Sequence, residues 1–331
     1  MILIHSRREV KELNKKIFGF ALVFMFLAVL TAPLSSTVLA KKVTETDMGD
    51  YTQYVGALGG ANFVVRIPDD WNGMLVVGCH GFQGPVLSPI AEFGVDNLKN
   101  GNGIPLPLIL VGEGYAYAAS SYGEGGFAIK KGMIRTHQLT EYVIGKFGVT
   151  GKVFIVGHSM GGVIGLLLGE KYPELYDGIL DISAMRDIVM GYNEAIIGIA
   201  NITSIPPPIW NSFNQTFQNF LLNLLASMRL LSGSMEVEFG GTYDEKPQHY
   251  EKLNPVDNAE ISIPMISVTG EQDVLTSVPQ RESFENAVIA AGCSEYYKLY
   301  IADPGDHGGP DTVDEALSHF DELVNYPNNW P

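Results

Sequence analysis

The chain has 331 residues, of which 46% are hydrophobic, and a formal net charge of −16. This length and composition exclude a disordered or low-complexity protein and allow one large globular domain or two small ones. The negative charge argues against anionic partners, so we expect neither nucleic acid nor an acidic membrane surface as a ligand.

The first 40 residues differ in composition from the rest of the chain. Five basic side chains between Arg7 and Lys16 precede an uncharged, mostly apolar stretch from Ile17 to Ala40. A basic start, an apolar centre and a small-residue end are typical of a secretory signal peptide. The alternative is an uncleaved anchor, because this stretch is long enough to span a bilayer. We expect residues 41–331 to be secreted if the segment is cleaved, and to be anchored to the membrane facing outward if it is not. A membrane partner is expected only in the second case.

From Tyr51 onward, strand-like and helix-like segments alternate. A hairpin is predicted at Tyr51–Ala57 and Ala61–Ile67, with two glycines between its strands. Short apolar runs predict buried strands at Met74–Gly78, Tyr115–Ala119, Lys152–Val156, Gly178–Ile182, Pro264–Val268 and Tyr296–Ile301. Helices are predicted at Pro105–Glu113, Met133–Phe147, Met160–Tyr172, Arg281–Ala291 and Thr312–Val324. These repeated units predict an α/β fold, with a mostly parallel central sheet covered by helices on both faces.

One stretch interrupts the alternation. A segment from about residue 185 to about residue 250 separates two strands that a single helix would normally connect. Apolar side chains recur in this segment at helical spacing. We therefore predict a helical cap inserted in one domain that spans residues 41–331. The apolar face of the cap either packs on the core or lines an acyl pocket, and spacing alone favours packing.

The segment around Ser159 gives the strongest functional signal. The predicted strand Lys152–Val156 ends at Gly157, and a helix of small residues begins at Met160. Gly157 and Gly161 flank the serine in the pattern G-x-S-x-G. In such a nucleophile elbow the glycines let strand and helix pass closely, and the strained turn presents the hydroxyl above the end of the sheet. Ser159 is the predicted nucleophile.

A serine nucleophile needs a base to accept its proton and an acid to orient that base. His307 is the predicted base, because it lies in a glycine-rich loop after the last predicted strand, where parallel sheets collect catalytic groups. Asp273 follows the preceding strand and is the predicted acid. Its neighbour Glu271 is an alternative acid, and Asp181 and Asp187 are weaker ones.

Negative charge that develops on a substrate oxygen is stabilised by two backbone N–H donors. One is expected from Met160, which follows the nucleophile at the positive end of a helix. The other is expected from Phe82, in the loop that follows the predicted strand Met74–Gly78. The sequence shows neither a metal-binding motif nor a phosphate-binding loop, so no cofactor is expected.

Four short motifs occur in a fixed order. They are His80-Gly-Phe82, Gly157-His-Ser-Met-Gly-Gly162, Gly270-Glu-Gln-Asp273 and Asp306-His-Gly308. Together they resemble the α/β-hydrolase superfamily from about residue 50 to the end, and are most similar to its secreted esterase-like and lipase-like members with a helical cap. The resemblance implies a serine hydrolase that cleaves carboxylic esters and whose partner is a small-molecule ester or acyl substrate.

Two other functions stay open. The superfamily contains peptidases and amidases with the same three catalytic residues, and Glu124, after a predicted strand, is a candidate for binding a peptide N-terminus. A non-catalytic binding protein with a hydrolase fold is the second alternative. Such proteins typically lose a catalytic residue, and the presence of all three predicted ones argues against it.

Overall fold

The computed structural model describes residues 40–83, 95–273, 275–276, 278–328 and 330. Except for Ala40, the predicted signal peptide or anchor lies outside these residues, so its assignment stays a prediction. In the part of the chain that the structure describes, no helix has both the length and the hydropathy that a membrane crossing requires.

Nine strands carry the described fold. They are β1 Lys41–Asp47, β2 Tyr51–Leu58, β3 Ala61–Pro68, β4 Leu75–Cys79, β5 Ala116–Ser120, β6 Val153–His158, β7 Gly178–Ile182, β8 Met265–Gly270 and β9 Tyr297–Ala302. They form one sheet in the order β1-β2-β3-β5-β4-β6-β7-β8-β9. The pairs from β1 to β5 along this order are antiparallel. The remaining pairs are parallel, which confirms the predicted mostly parallel sheet.

The central strands are apolar because both faces of the sheet are covered. Every residue of β4, β5, β6, β7 and β8 is buried. Alternate side chains enter two separate cores, so that Val77 and Ile155 pack on one face while Val76 and Val156 pack on the other. The parallel register aligns the carboxyl ends of these strands at one edge, with Cys79 beside Gly157.

Strand β1 is absent from the sequence prediction. All seven residues, KKVTETD, are exposed, so no hydrophobic pattern marks them as a strand. Pairing with β2, from Lys41 beside Ala57 to Asp47 beside Thr52, creates the strand instead. Its charged side chains occupy the edge of the sheet, a composition that discourages pairing with another chain.

The described helices cover the sheet and fill the cap segment. They are α1 Leu106–Gly112, α2 Ile129–Val143, α3 Met160–Lys171, α4 Ile188–Thr203, α5 Pro207–Trp210, α6 Gln215–Phe239, α7 Pro247–Glu251, α8 Val278–Ala290 and α9 Pro310–Val324. Helix α2 begins at Ile129 rather than at Met133. The backbone N–H of Lys130 donates to Glu238 Oε1 at 2.8 Å, and its ammonium donates to the Glu238 carbonyl, so tertiary contacts extend the helix.

Helices α4 to α7 occupy residues 188–251, close to the predicted cap segment of about 185–250. Side-chain caps begin the two long ones, since Asp187 accepts the N–H of Met190 and Asn214 accepts the N–H of Phe217. Helix α6 ends at Phe239 and is capped by Gly240, whose φ of +83° is the left-handed conformation that commonly terminates helices. The limits of the predicted cap, and the division into residues 1–40 and 41–331, stay predictions.

Candidate active site

Ser159 occupies the tight turn between β6 and α3. Its φ of 54° and ψ of −120° are strained for a residue with a side chain, as a nucleophile elbow requires. A Cβ on Gly157 would lie 2.5 Å from the Gly161 carbonyl oxygen, and one on Gly161 would lie 2.0 Å from the Cys79 carbonyl oxygen. The strand, the turn and the neighbouring strand end are thus in direct backbone contact, and this packing holds the strained serine in place.

Asp273 and His307 are brought together from the ends of β8 and β9. Nδ1 of His307 lies 2.9 Å from Oδ2 of Asp273. The same carboxylate accepts the backbone N–H groups of Leu275 and Thr276, each at 2.9 Å, and the Thr276 hydroxyl at 2.6 Å. Burial disfavours the charged carboxylate, but the bonds from His307 and Thr276 outweigh it and lower the pKa of Asp273 far below its usual value. The ionised acid therefore fixes the proton of His307 on Nδ1 and leaves Nε2 as the basic nitrogen.

Ser159 and His307 line the same pocket, which has a volume of about 300 Å³. Asp273 lies behind His307, with its side chain 1% exposed. The opening is rimmed by Leu230 and Leu275, which are 39% and 45% exposed. The structure therefore places the predicted nucleophile and base beside one substrate-sized cavity, and the predicted acid beneath it.

The two predicted N–H donors also border this pocket. Met160 is the first residue of α3, at the positive end of the helix dipole. Its sulfur accepts the Ala128 N–H at 3.3 Å, so its side chain is held against the body of the protein. Phe82 follows Gly81, where a Cβ would lie 3.1 Å from the Cβ of Ser159. Glycine at 81 thus lets the loop after β4 approach the serine.

His158 forms the wall behind His307. Their ring centroids are 5.0 Å apart. Burial, together with the charge of His307, lowers the pKa of His158 to about 3, so this ring is neutral near pH 7. Gly308 has a φ of +74°, and a Cβ there would lie 2.5 Å from Nε2 of His158. His158 therefore supports the loop that carries His307.

Two of the alternative acids, Asp181 and Asp187, are bound elsewhere. Asp181 pairs with the buried Arg186 at 2.7 Å, and Asp187 caps α4. Glu271 is exposed, and Glu124 forms an ion pair with Lys131. None of these four carboxylates is among the described residues that line the pocket.

Two features in and near the site carry no clear sequence signal. His80 stacks on Tyr122 with ring centroids 3.8 Å apart. Burial lowers the pKa of His80 to about 4, so this pocket-lining ring is neutral. Arg186, 1% exposed, donates to Asp181, Ser267 and Thr269, the last two on β8. Both alternatives for the apolar face of the cap occur in α6: Met235 and Phe239 pack in the core, and five residues line the pocket, Leu224, Ser227, Met228, Leu230 and Leu231.

Among the residues that the structure describes, no group of three or more His, Cys, Asp or Glu side chains is placed to hold a metal ion. The polar groups around Ser159 are instead those of nucleophilic and acid–base chemistry.

The chain is similar to a known protein family. A family model for esterases matches residues 133–303, just over half of the chain. The matched span includes Ser159 and Asp273, whereas Phe82 and His307 lie outside it. No curated protein matches the chain.

Solved structures of hydrolases share the fold. An esterase from Aspergillus oryzae aligns with a TM-score of 0.57 at 13% identity, covering 82% of this chain and 80% of its own. An esterase from Pyrococcus furiosus aligns with a TM-score of 0.52 at 14% identity, covering 88% and 93%. The acylaminoacyl peptidase of Pyrococcus horikoshii aligns with a TM-score of 0.54 at 13% identity, covering 90% of this chain but only 44% of the peptidase. These likenesses confirm the predicted α/β-hydrolase fold and include both esterases and a peptidase.

Proposed function

Because the chain belongs to the Esterase family and has the α/β-hydrolase fold, we propose that it is a serine hydrolase that cleaves carboxylic esters through an acyl-enzyme on Ser159. One observation carries the proposal. Ser159, on its strained turn, shares a pocket with His307, and Nδ1 of His307 is hydrogen-bonded to Oδ2 of Asp273 at 2.9 Å.

In acylation Ser159 acts as the nucleophile, and His307 acts first as the base and then as the acid. Ser159 Oγ attacks the ester carbonyl carbon while Nε2 of His307 accepts the hydroxyl proton. The carbonyl oxygen becomes an oxyanion that accepts hydrogen bonds from the N–H groups of Met160 and Phe82. When the carbonyl re-forms, the C–O bond to the alcohol breaks and His307 returns the proton to the departing oxygen. The products of this half are free alcohol and acyl-Ser159.

Deacylation repeats the sequence with water. His307 removes a proton from a water molecule as its oxygen attacks the acyl carbon, and then returns that proton to Ser159 Oγ. Asp273 remains ionised in both halves, because its pKa is lowered by the bonds from His307 and Thr276. It stabilises the imidazolium that forms transiently and keeps the ring in the required tautomer.

The lining of the pocket favours an ester with an apolar acyl group over a peptide. Leu224, Met228 and Leu231 on α6 line the cavity together with Phe127, and no charged side chain is among the described lining residues. Glu124, the candidate for binding a peptide N-terminus, pairs with Lys131 outside the lining. A pocket of about 300 Å³ lies at the small end of ligand sites, which suits short and medium acyl groups.

The proposal is tested by labelling and turnover. A fluorophosphonate probe is expected to label the wild-type protein at Ser159, and Ser159→Ala is expected to lose the label and about 10⁶-fold in kcat on p-nitrophenyl esters. Ser318→Ala, on the exposed face of α9, is the matched control and retains both signals. Full ester turnover by Ser159→Ala would exclude the mechanism. Faster cleavage of aminoacyl amides than of matched esters would select the peptidase alternative.

A further inference from the structure

The outer surface of helices α4 to α6 differs from the rest of this acidic protein. No charged side chain occurs between Glu194 and Arg229, although the whole chain has a net charge of −16. Within this interval, six large apolar side chains are 40–59% exposed. They are Ile196, Ile197, Ile209, Phe217, Phe220 and Leu222. An uncharged surface with clustered apolar side chains marks a contact site for another phase or molecule.

Four aromatic side chains form a cluster at the N-terminal end of α6, which we call the aromatic tip: Trp210, Phe213, Phe217 and Phe220. Successive ring centroids lie 6.4, 4.9 and 6.1 Å apart. The amide of Gln218 donates to the carbonyls of Trp210 and Phe213 at 2.9 and 3.1 Å, so the turn that carries the first two rings is tied to the helix. The aromatic tip is therefore a preformed surface.

The aromatic tip is continuous with the pocket along one face of α6. Phe217 and Phe220 lie on the same helical stripe as the pocket-lining Leu224, Met228 and Leu231, at spacings of three and four residues. The stripe ends in the core at Met235 and Phe239. One apolar track thus runs from the exposed aromatic rings to the cavity that contains Ser159.

We propose that the aromatic tip docks on an uncharged lipid–water interface, such as a zwitterionic phospholipid surface. Aromatic side chains settle at the boundary between headgroups and acyl chains, and an uncharged tip enters this boundary without burying a charge. The acidic body of the protein opposes approach to anionic surfaces, which makes a neutral surface the complementary one. The sequence alone predicted membrane contact only through the N-terminal segment, and the aromatic tip is a second, separate means of contact.

The size of the aromatic tip favours lipid over a second copy of the chain. A fully buried aromatic side chain covers about 150–250 Å². Phe217 and Phe220 are 42% and 56% exposed, and Trp210 and Phe213 are less exposed. The four rings together therefore offer less than about 400 Å², whereas a stable protein interface buries about 800 Å² per partner. Insertion of a few rings into a lipid surface has no such area requirement.

The test places its signal on Trp210. The full chain carrying Ser159→Ala is mixed with phosphatidylcholine vesicles that have either brominated or ordinary acyl chains. The substitution separates docking from hydrolysis, and bromine quenches tryptophan only where the ring enters the lipid. We expect the brominated vesicles to quench tryptophan fluorescence, and we expect this quenching to disappear in Trp210→Phe. That result assigns the quenching to Trp210 and not to Trp71 or Trp330. Contacts made by the N-terminal segment are common to all the proteins compared.

Two variants of α6 complete the test. Phe217→Ser/Phe220→Ser is expected to reduce the Trp210 quenching at least fivefold. Val237→Ser is the matched control, because Val237 is 84% exposed on the same helix but lies off the apolar stripe, and it is expected to retain full quenching. Circular dichroism confirms that each variant is folded.

Three results would overturn the proposal. The first is the absence of Trp210 quenching by phosphatidylcholine. The second is stronger quenching by vesicles of anionic phosphatidylglycerol. The third is a lipid-free dimer, seen in sedimentation, that Phe217→Ser/Phe220→Ser converts to monomer, because the aromatic tip would then be a self-association surface. Loss of ester hydrolysis in Ser159→Ala bears on the proposed function alone.

Discussion

His307 and Asp273 are joined by a hydrogen bond of 2.9 Å although they follow different strands. The carboxylate also holds its own turn through Leu275 and Thr276, so its position does not depend on the histidine. The Asp273 carboxylate is therefore pre-positioned, and it orients the His307 ring.

Asp273→Asn is expected to lower kcat on p-nitrophenyl esters by about 10³–10⁴-fold. The amide would favour the wrong tautomer of His307, and because it is uncharged it would not stabilise the imidazolium. KM is expected to change little, since the side chain lies behind the pocket. Glu271→Gln, two residues away and exposed, serves as the control with unchanged kcat. Steady-state kinetics on both variants decide the identity of the acid, and an equal loss in Glu271→Gln would contradict the assignment.

His80 makes stability depend on pH. Its pKa falls from 6.5 to about 4 on folding because of burial, so between these values the unfolded chain binds a proton that the folded chain does not. Its contribution is fully present above pH 6.5 and is lost as the pH falls toward 4, a difference of about 3 kcal/mol. His80→Phe keeps an aromatic ring against Tyr122 but removes the titration.

Urea unfolding between pH 4 and 7 measures this effect. The free energy of unfolding of His80→Phe is expected to fall less steeply with acidification than that of the wild type. Parallel slopes for the two proteins would show that His80 does not titrate differently in the folded and unfolded states.

Met228→Trp is expected to shorten the acyl preference, because the larger ring fills the pocket beside α6. We expect kcat/KM on octanoyl esters to fall about 10–200-fold relative to acetyl esters. Leu222→Trp, on the same helix but 50% exposed and outside the lining, is the control and leaves this ratio unchanged. An equal loss on acetyl and octanoyl esters would mean that the substituted helix disturbs the catalytic groups instead.

Gly161→Ala is expected to destabilise the fold by about 3 kcal/mol or more, because the new methyl group would meet the Cys79 carbonyl oxygen at 2.0 Å. Gly233→Ala, within α6, meets no atom within 4 Å and is expected to stabilise by up to about 1 kcal/mol. Chemical denaturation of the pair checks both signs. A neutral Gly161→Ala would show that the elbow tolerates a side chain there.

Arg186→Met is expected to cost about 3–5 kcal/mol of stability, because it leaves the Asp181 carboxylate buried without its partner. The double variant Asp181→Leu/Arg186→Met removes both charges and is expected to recover most of this loss. A double variant as unstable as the single one would mean that the bonds from Arg186 to Ser267 and Thr269 carry the stabilisation.

The fold was predictable where burial on both faces makes a strand wholly apolar, as in Val153–His158 and Gly178–Ile182. Strand β1 was not, because its fully exposed residues carry no pattern and only the partner strand makes them extended. The start of α2 was missed for a related reason, since Glu238, distant in sequence, supplies the contact that extends it.

The elbow was predictable because glycines at 157 and 161 are required by local backbone packing. The histidine loop was identifiable by its position after the last strand. The network of Arg186 was not, because its partners on β8 are 81 and 83 residues away in sequence and no local pattern marks them. The exposure of the N-terminal end of α6 could not be predicted either. Periodicity indicates an apolar helix face, but it does not indicate which part of that face is packed against the rest of the protein.

The contact between His158 and Gly308 couples two positions that are far apart in the chain. A side chain at 308 would occupy the space of the His158 ring, and the backbone there is also left-handed. In any descendant of this protein, a larger residue at 308 is therefore tolerated only after the residue at 158 has become smaller. His158 and Gly308 are therefore expected to be inherited as a pair.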